Sequence, residues 1–500
     1  MNDLAIQGNA LLPLDLSQPI DGMLLNNQWQ AGHGELFNVM NPSTGEVLAR
    51  VKTATAADVP TAVAAAKRAL PAWKYAAPAE RAKVLRQIAT GIASAAAQLE
   101  AMQQLNSGKP AFEASLDVAD AIATFEYYAD LISNDDRHSE AEVALPDDAF
   151  EGEYVLEACG IAGLIVPWNF PMVTTAWKVA PALAAGCCVI LKPAELTPLS
   201  EILLANIIAQ SGIPDGVFNV LVGAGSDVGA AMVDHPEIDK ISFTGSNAVG
   251  RKVMAAAARF TKPVSLELGG KSSLVVCEDA DLDTAVDLAL KGVFFNAGQM
   301  CSATSRILVA ESIYPAFKAR FVAATEAMVC GAPSVENVEM GPLISEAQLN
   351  RVMSYIRAGK EAGAHCLTGG ERVADSSGYF IAPTIFENVP EESAIWKEEI
   401  FGPVACLMTF QTDEEAIEIA NHSDYGLVAT VVSQSKTRSQ KYTRQLHVGM
   451  VWVNSPQVIF PHTSWGGMKQ SGIGRELGPW GLRAYQQLKH VVSLKESFTL

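Results

Sequence analysis

The sequence predicts an α/β protein with parallel sheets in at least two domains, and three observations carry that expectation. Short apolar runs alternate with helical segments after residue 158, and strands that alternate with helices build a parallel sheet. The same texture resumes beyond Gly270, which puts a domain boundary near residues 267–271. The chain has 500 residues, enough for two or three domains at roughly 100 to 200 residues each.

In chain order, residues 56–105 are Ala-rich with apolar positions at helical spacing, and Asp58, Pro78 and Glu80 stand where helices begin. Two or three helices are expected there. Another is expected over 113–131, where Phe125, Tyr127 and Tyr128 read as core packing. Strands are expected at 161–167, 188–192, 217–222 and 240–244, with a helix over 199–210 among them. A strand at 274–277 and a helix over 282–290 open the second domain. Weak alternation at 151–158 and the apolar run 491–494 suggest strands at a subunit edge.

Composition excludes several function classes. A hydrophobic fraction of 49% with 18% charged residues fits a packed globular protein. The formal charge of -19 opposes nucleic-acid binding, which draws on Lys and Arg. Eight scattered cysteines form neither a disulfide framework nor a Cys–His metal spacing, so a reducing compartment and no metal are expected. Residues 1–20 hold Asp3 and Asp15 and no basic residue, unlike a secretory or transit leader, which points to the cytoplasm. Residues 179–191 form one of the longer apolar stretches, but they contain Pro181 and fall short of the roughly 20 residues that span a bilayer. No membrane partner is expected.

The chemistry centres on Phe294-Phe295-Asn296-Ala297-Gly298-Gln299-Met300-Cys301-Ser302, where a helix-like segment runs through Asn-Ala-Gly into a cysteine. A thiolate attacks carbonyl carbon readily when its surroundings depress its pKa. A single cysteine is otherwise most often a small buried hydrophobe, so its context has to decide.

That context resembles the aldehyde dehydrogenase superfamily over nearly the whole chain. The likeness rests on Pro167-Trp168-Asn169-Phe170-Pro171, Leu266-Glu267-Leu268-Gly269-Gly270-Lys271, Gly298-Gln299-Met300-Cys301 and Glu399-Ile400-Phe401-Gly402-Pro403, in the family's order and spacing. Lys192-Pro193-Ala194-Glu195, Phe243-Thr244-Gly245-Ser246 and Gly472-Ile473-Gly474-Arg475-Glu476 add to it. The resemblance implies a doubly wound NAD-binding domain (1–140 and 159–266), an α/β catalytic domain (267–480), and a small β oligomerisation element (141–158 and 481–500). A homodimer or homotetramer is the family's expectation.

The resemblance also implies roles. Cys301 is the nucleophile, and Asn169 with the Cys301 amide steadies the oxyanion. Glu267 activates water against the thioester, which favours release of free acid over transfer to coenzyme A. Lys178 and Glu476 form a polar pair behind that base, either a proton exit or a structural salt bridge. For NAD, the implied contacts are Ile165, Trp168, Lys192, Glu195, Gly225, Gly229, Phe243, Ser246, Leu268, Glu399 and Phe401. The stretch 223–229 is no true G-x-G-x-x-G, whereas Gly245-Ser246 opens an expected helix whose N-terminus suits an anion.

Within the superfamily the likeness is nearest to betaine-aldehyde and aminoaldehyde dehydrogenases, through Ser107-Gly108-Lys109-Pro110, residues 117–120 and 125–130, residues 301–306, and Trp465-Gly466-Gly467. It implies a substrate tunnel lined by Phe170, Trp177, Phe295 and Trp465, whose ring faces attract ammonium groups. Asp117 and Asp120 correspond to acidic residues at the tunnel mouth. The chain departs from that group at Phe170, Phe295, Leu116 and Thr174, and its loop 455–464 is apolar. Uncharged aliphatic or aromatic aldehydes therefore stay open as substrates. A non-catalytic, crystallin-like role is the alternative of another class, opposed by the joint presence of Asn169, Glu267 and Cys301.

Overall fold

The computed structural model describes residues 14–134, 140–374 and 376–495. The helices expected over 56–105 are Val59–Lys74, Pro78–Ser94 and Ala96–Ser107, and the next is Ala111–Asn134. Pro78 occupies a first-turn position, where its missing N–H costs nothing. Phe125 and Tyr128 are fully buried in the first hydrophobic core, as packing residues should be.

Five parallel strands form the centre of the first large sheet, in the order Val264–Glu267, Lys240–Thr244, Ile161–Ile165, Cys188–Lys192, Phe218–Leu221. Chain order runs outward from Ile161–Ile165 in both directions. The sheet is therefore doubly wound, and its direction of winding reverses between Ile161–Ile165 and Lys240–Thr244. A ligand crevice is expected outside the carboxyl ends of the strands at such a reversal. Antiparallel strands close both edges, Met23–Leu25 followed by Gln28–Gln30 on one side and Gly472–Ile473 on the other.

The second large sheet has six parallel strands, in the order Thr384–Glu387, Val404–Phe410, Arg306–Ala310, Ser273–Val276, Val428–Val432, Met450–Val453, with His365–Thr368 antiparallel at one edge. Its Val- and Ile-rich strands, buried on both faces, form a core of their own. A third small core, Val173, Trp177, Leu427, Val428, Trp452, Trp465 and Leu477, joins the two domains.

Glu140–Val143, Phe150–Ala158 and Gln486–Leu494 make a separate antiparallel sheet. Gln486–Leu494 is its edge strand and exposes Leu488, Val492 and Leu494. Among the described residues, no helix is long and apolar enough to cross a membrane.

The topology departs from the expected division of the chain near its end. Gly472–Ile473 leaves the second domain and pairs with Leu266 and Glu267 of the first sheet. Leu482 and Tyr485 are buried in the first core, although 481–485 was assigned to the small β element. The reason is the edge of Val264–Glu267, whose backbone donors and acceptors need partners when covered. Residues 1–13, 135–139 and 496–500, included in the expected segments, lie outside the described residues.

Gly472 has φ +147°, and a Cβ there would strike the Leu266 carbonyl. Gly472→Ala should therefore lower stability by about 1–3 kcal/mol, read as a fall in the melting temperature. A melting curve unchanged from wild type would show that this pairing does not hold the edge.

Candidate active site

Cys301 follows a backbone turn that few sequences adopt. After the helix Leu282–Phe294, Asn296, Ala297 and Gly298 have φ of +51°, +53° and +71°. Left-handed backbone costs roughly 1–2 kcal/mol at each non-glycine residue, so the surroundings must hold the turn. At Gly298 glycine is required twice over, because a Cβ would also strike the Gly402 carbonyl. Gly270 is pressed in the same way against the Cys301 carbonyl. The cysteine is thus fixed from both the 269–270 and 402–403 segments, brought together from different motifs.

Asn169 lies beyond the carboxyl end of Ile161–Ile165 and just before the wholly buried helix Pro171–Ala185. Its Nδ2 donates to the Gln299 carbonyl at 2.9 Å, and its own carbonyl accepts from Asn296 Nδ2 at 3.0 Å. An amide nitrogen has two hydrogens. One is committed to Gln299, and the second is left for an oxyanion beside Cys301.

Glu267 ends Val264–Glu267 and is buried, and neither carboxylate oxygen has a hydrogen-bond partner. Burial raises its pKa well above the carboxylate range, and Glu476 raises it further while Lys178 and Arg475 oppose the rise. A buried, unpartnered carboxyl is costly to keep and calls for an explanation. A base whose partner is a transient water supplies one. The Cys301 thiol is pushed up by burial first, then by Glu399 and Glu267. Burial and the two carboxyl groups thus oppose the thiolate form of Cys301.

Lys178 and Glu476 form a buried ion pair, and Glu476 also accepts from Ser242 Oγ at 3.3 Å. The Glu476 backbone pairs with that of Trp465 through bonds of 2.7 and 2.8 Å.

Most residues expected at the cofactor gather at the reversal of the first sheet. Lys192 Nζ and Glu195 Oε2 are 3.0 Å apart. Gly225 and Gly229 leave room that a side chain would fill: a Cβ on Gly225 would meet only Lys192 Nζ at 4.0 Å, and one on Gly229 only Lys192 and Ile165 beyond 3.6 Å. Such a gap beside Lys192 and Ile165 fits a flat ring. Gly225–Gly229 itself is one wide turn leading into the short helix Ala230–Asp234. Ser246 caps the longer helix Asn247–Ala258, and its exposed N-terminus suits a diphosphate.

Glu399 Oε1 accepts from the Gly270 amide at 3.1 Å, and burial pushes the Glu399 pKa up to about 7. Phe401, with φ +59°, meets the Trp168 ring edge-on at 5.3 Å. The Phe243 and Leu268 side chains are buried in the first core, Phe243 under Gly245 and Leu268 against Gly250.

The four expected tunnel rings fall into two groups. Phe170 and Phe295 lie parallel, 6.3 Å apart, and Trp177 and Trp465 are tilted at 5.4 Å. Trp452 joins the second group at 6.4 Å from Trp465, and Phe112 joins the first at 6.1 Å from Phe295. Of the two acidic residues, Asp117 is buried and Asp120 is partly exposed. Asp117 is buried and ion-paired with buried Lys109, whose Nζ sits 3.9 Å over the Phe170 ring. Asp120 accepts from Trp177 Nε1 at 2.6 Å, and burial raises its pKa to about 7.

Sequence reasoning missed Glu113, Gln299 and Trp452. Glu113 looks like an ordinary acidic residue in a helix's first turn, and Trp452 like a residue of a core strand. Only the long-range pairing shows otherwise.

A sequence profile of the aldehyde dehydrogenase family matches residues 29–491. The chain belongs to the aldehyde dehydrogenase family. Among curated relatives, aminoaldehyde dehydrogenase 2, peroxisomal, of Pisum sativum is 44% identical over 96% of each chain. Betaine aldehyde dehydrogenase, chloroplastic, of Atriplex hortensis is 45% identical over 91% of this chain and 92% of that one. Among solved structures, betaine aldehyde dehydrogenase of Staphylococcus aureus in complex with NAD+ superposes with a TM-score of 0.93, at 36% identity over 96% of each chain. The NAD+ complex of an aldehyde dehydrogenase from Bacillus cereus gives 0.93 at 38% identity, over 96% of this chain and 97% of that one. The α/β architecture is that of the family.

Glu399 opposes ionisation of Cys301, so removing its charge should lower the thiol pKa. Glu399→Gln keeps an acceptor for the Gly270 amide, and it should alkylate with iodoacetamide severalfold faster at pH 8 without cofactor. An unchanged rate would remove Glu399 as a control on the thiol.

Proposed function

We propose that the protein oxidises an aldehyde to its carboxylic acid, with NAD as hydride acceptor and Cys301 as covalent nucleophile. The observation that carries this reading is the buried, unpartnered Glu267 in one site with the tightly held Cys301 and the half-free amide of Asn169. The relatives' printed names support it.

Cys301 Sγ adds to the aldehyde carbon after giving up its proton, and the raised pKa of Glu267 suits that carboxylate, when ionised, to receive it. The carbonyl oxygen becomes an oxyanion, which the free N–H of Asn169 and the Cys301 amide stabilise. When bound, the nicotinamide supplies the acceptor for the hydride that leaves the former aldehyde carbon. Glu399, Phe401, Lys192, Glu195 and Ser246 would hold that cofactor, and the Glu195 carboxylate disfavours a 2′-phosphate. Glu267 passes that first proton on by way of the Lys178–Glu476 pair with Ser242 and is ionised again. It then takes a proton from water as the water attacks the thioester, and returns it to Cys301 Sγ as the C–S bond breaks and the acid departs.

For the substrate, the relatives' names and the aromatic lining favour betaine aldehyde or an aminoaldehyde. A second reading, uncharged aldehydes, is favoured by specific contacts. Lys109 already places a cation on Phe170, Asp117 is committed to Lys109, and two exposed apolar residues adjoin the rings, Phe112 beside Phe295 and Val458, whose carbonyl accepts from Trp452 Nε1. The eight cysteines are all unpaired, in keeping with a reducing compartment such as the cytoplasm, while the names of the plant relatives point to peroxisomes and chloroplasts for those proteins.

The edge strand Gln486–Leu494 with its exposed Leu488 and Val492 favours a homodimer or homotetramer. Leu488→Asp with Val492→Asp should shift the species to monomer in size-exclusion chromatography with light scattering. An unchanged mass would reject that interface.

Cys301→Ala should abolish aldehyde-dependent NADH formation, and persistent turnover would overturn the assignment. Asn169→Ala should lower kcat by about 100- to 1,000-fold, as loss of an oxyanion donor does. Glu267→Gln should give a burst of NADH without steady turnover. A kcat/KM panel of betaine aldehyde, 4-aminobutanal, a medium-chain aliphatic aldehyde and an aromatic acetaldehyde decides the substrate class. If cationic aldehydes rank last, the uncharged reading replaces the first.

A further inference from the structure

We propose that Glu113 is a positioning residue of the catalytic machinery, holding the strained turn before Cys301 through the backbone amide of Asn296. The inference rests on the reading of Cys301 as nucleophile and Asn169 as oxyanion donor. Glu113 lies in the first turn of Ala111–Asn134, far from Cys301 in sequence, and is fully buried. Its Oε1 accepts from Asn296 N–H at 2.8 Å, at the residue where φ first turns positive.

From Asn296 the hold passes directly to the catalytic groups. Asn296 Nδ2 donates to the Asn169 carbonyl at 3.0 Å and to the Gln299 carbonyl at 3.3 Å. Asn169 Nδ2 donates to that same Gln299 carbonyl. Gln299 in turn donates through Nε2 to the Asn296 carbonyl at 3.0 Å, and its Oε1 accepts from Ile344 N–H at 2.9 Å. Among the described residues, Glu113 is thus the one carboxyl group tied to this ring of amides, and no other acceptor takes the Asn296 N–H. Without an acceptor there, a buried donor at a left-handed residue would be left unpaired, and the turn would relax toward an ordinary conformation. Asn169 and Cys301 would then lose their mutual registry.

The rest of the site fits such a role. Lys109 and Asp117, four residues to either side of Glu113, satisfy each other, so Glu113 is not needed as their counter-ion. Its second oxygen has no partner. Burial pushes the Glu113 pKa up to about 8, against the opposing pull of the Asn296 amide and Lys109. At pH 7 the carboxyl is therefore largely neutral, and glutamine reproduces both its shape and its accepting oxygen.

The test uses the full-length enzyme. Glu113→Ala should lower kcat by about tenfold or more with the KM for NAD unchanged, and should alter the iodoacetamide rate of Cys301 by a similar factor. Glu113→Gln should restore both to within about threefold of wild type. Glu113→Asp keeps the carboxyl group but shortens the reach, so it should behave like Glu113→Ala, and it replaces that variant if the alanine protein fails to fold. Circular dichroism and melting curves identify which variants are folded. Equal losses in the Gln and Asp variants, or a wild-type kcat in the folded Ala variant, would overturn the proposal. Turnover by Cys301→Ala under the same assay would instead overturn the nucleophile assignment on which it rests.

Discussion

The left-handed turn at Asn296, Ala297 and Gly298 is the constraint on which the rest of the site depends. It redirects the chain out of the helix Leu282–Phe294 so that Gln299, two residues before Cys301, meets Asn169, which arrives from the other domain's sheet. A turn of this kind cannot pay its own way. It persists because Glu113 accepts the Asn296 amide, because Gly298 allows the Gly402 carbonyl to approach, and because Gly270 is flat against Cys301. Each support comes from a different part of the chain, and so the nucleophile is placed by tertiary structure.

The two large sheets divide the labour around that turn. The first offers a winding reversal and a capped helix N-terminus for an anionic cofactor, and the second offers the loops that carry Glu399 and Phe401. The covalent chemistry lies where they meet, sealed by the small core of Trp177, Trp452 and Trp465. Burial takes water from the charged forms of Glu267, Glu399 and Cys301, which explains why all three shift toward their neutral forms.

Much of this was legible in the sequence, for reasons tied to particular residues. Strands 188–192 and 240–244 were readable to the residue because they are short apolar runs between turn signals. Cys301, Asn169 and Glu267 were readable because their motifs are long. What stayed hidden depends on partners distant in sequence. Asp117 resembled a free carboxylate until buried Lys109 appeared beside it. The return of Gly472–Ile473 to the first sheet was equally invisible, since two residues carry no periodicity.

Glu476 serves two structures at once: its carboxylate holds Lys178 behind the proposed base, Glu267, while its backbone is laced to that of Trp465 in the proposed substrate lining. Substrate range and hydrolytic rate are consequently inherited together. A change that remodels the wall around Trp465 to admit a new aldehyde disturbs the group that tunes Glu267, so a lineage broadening its diet at this wall would do so at the expense of turnover, and compensating changes would be expected around Lys178 and Ser242.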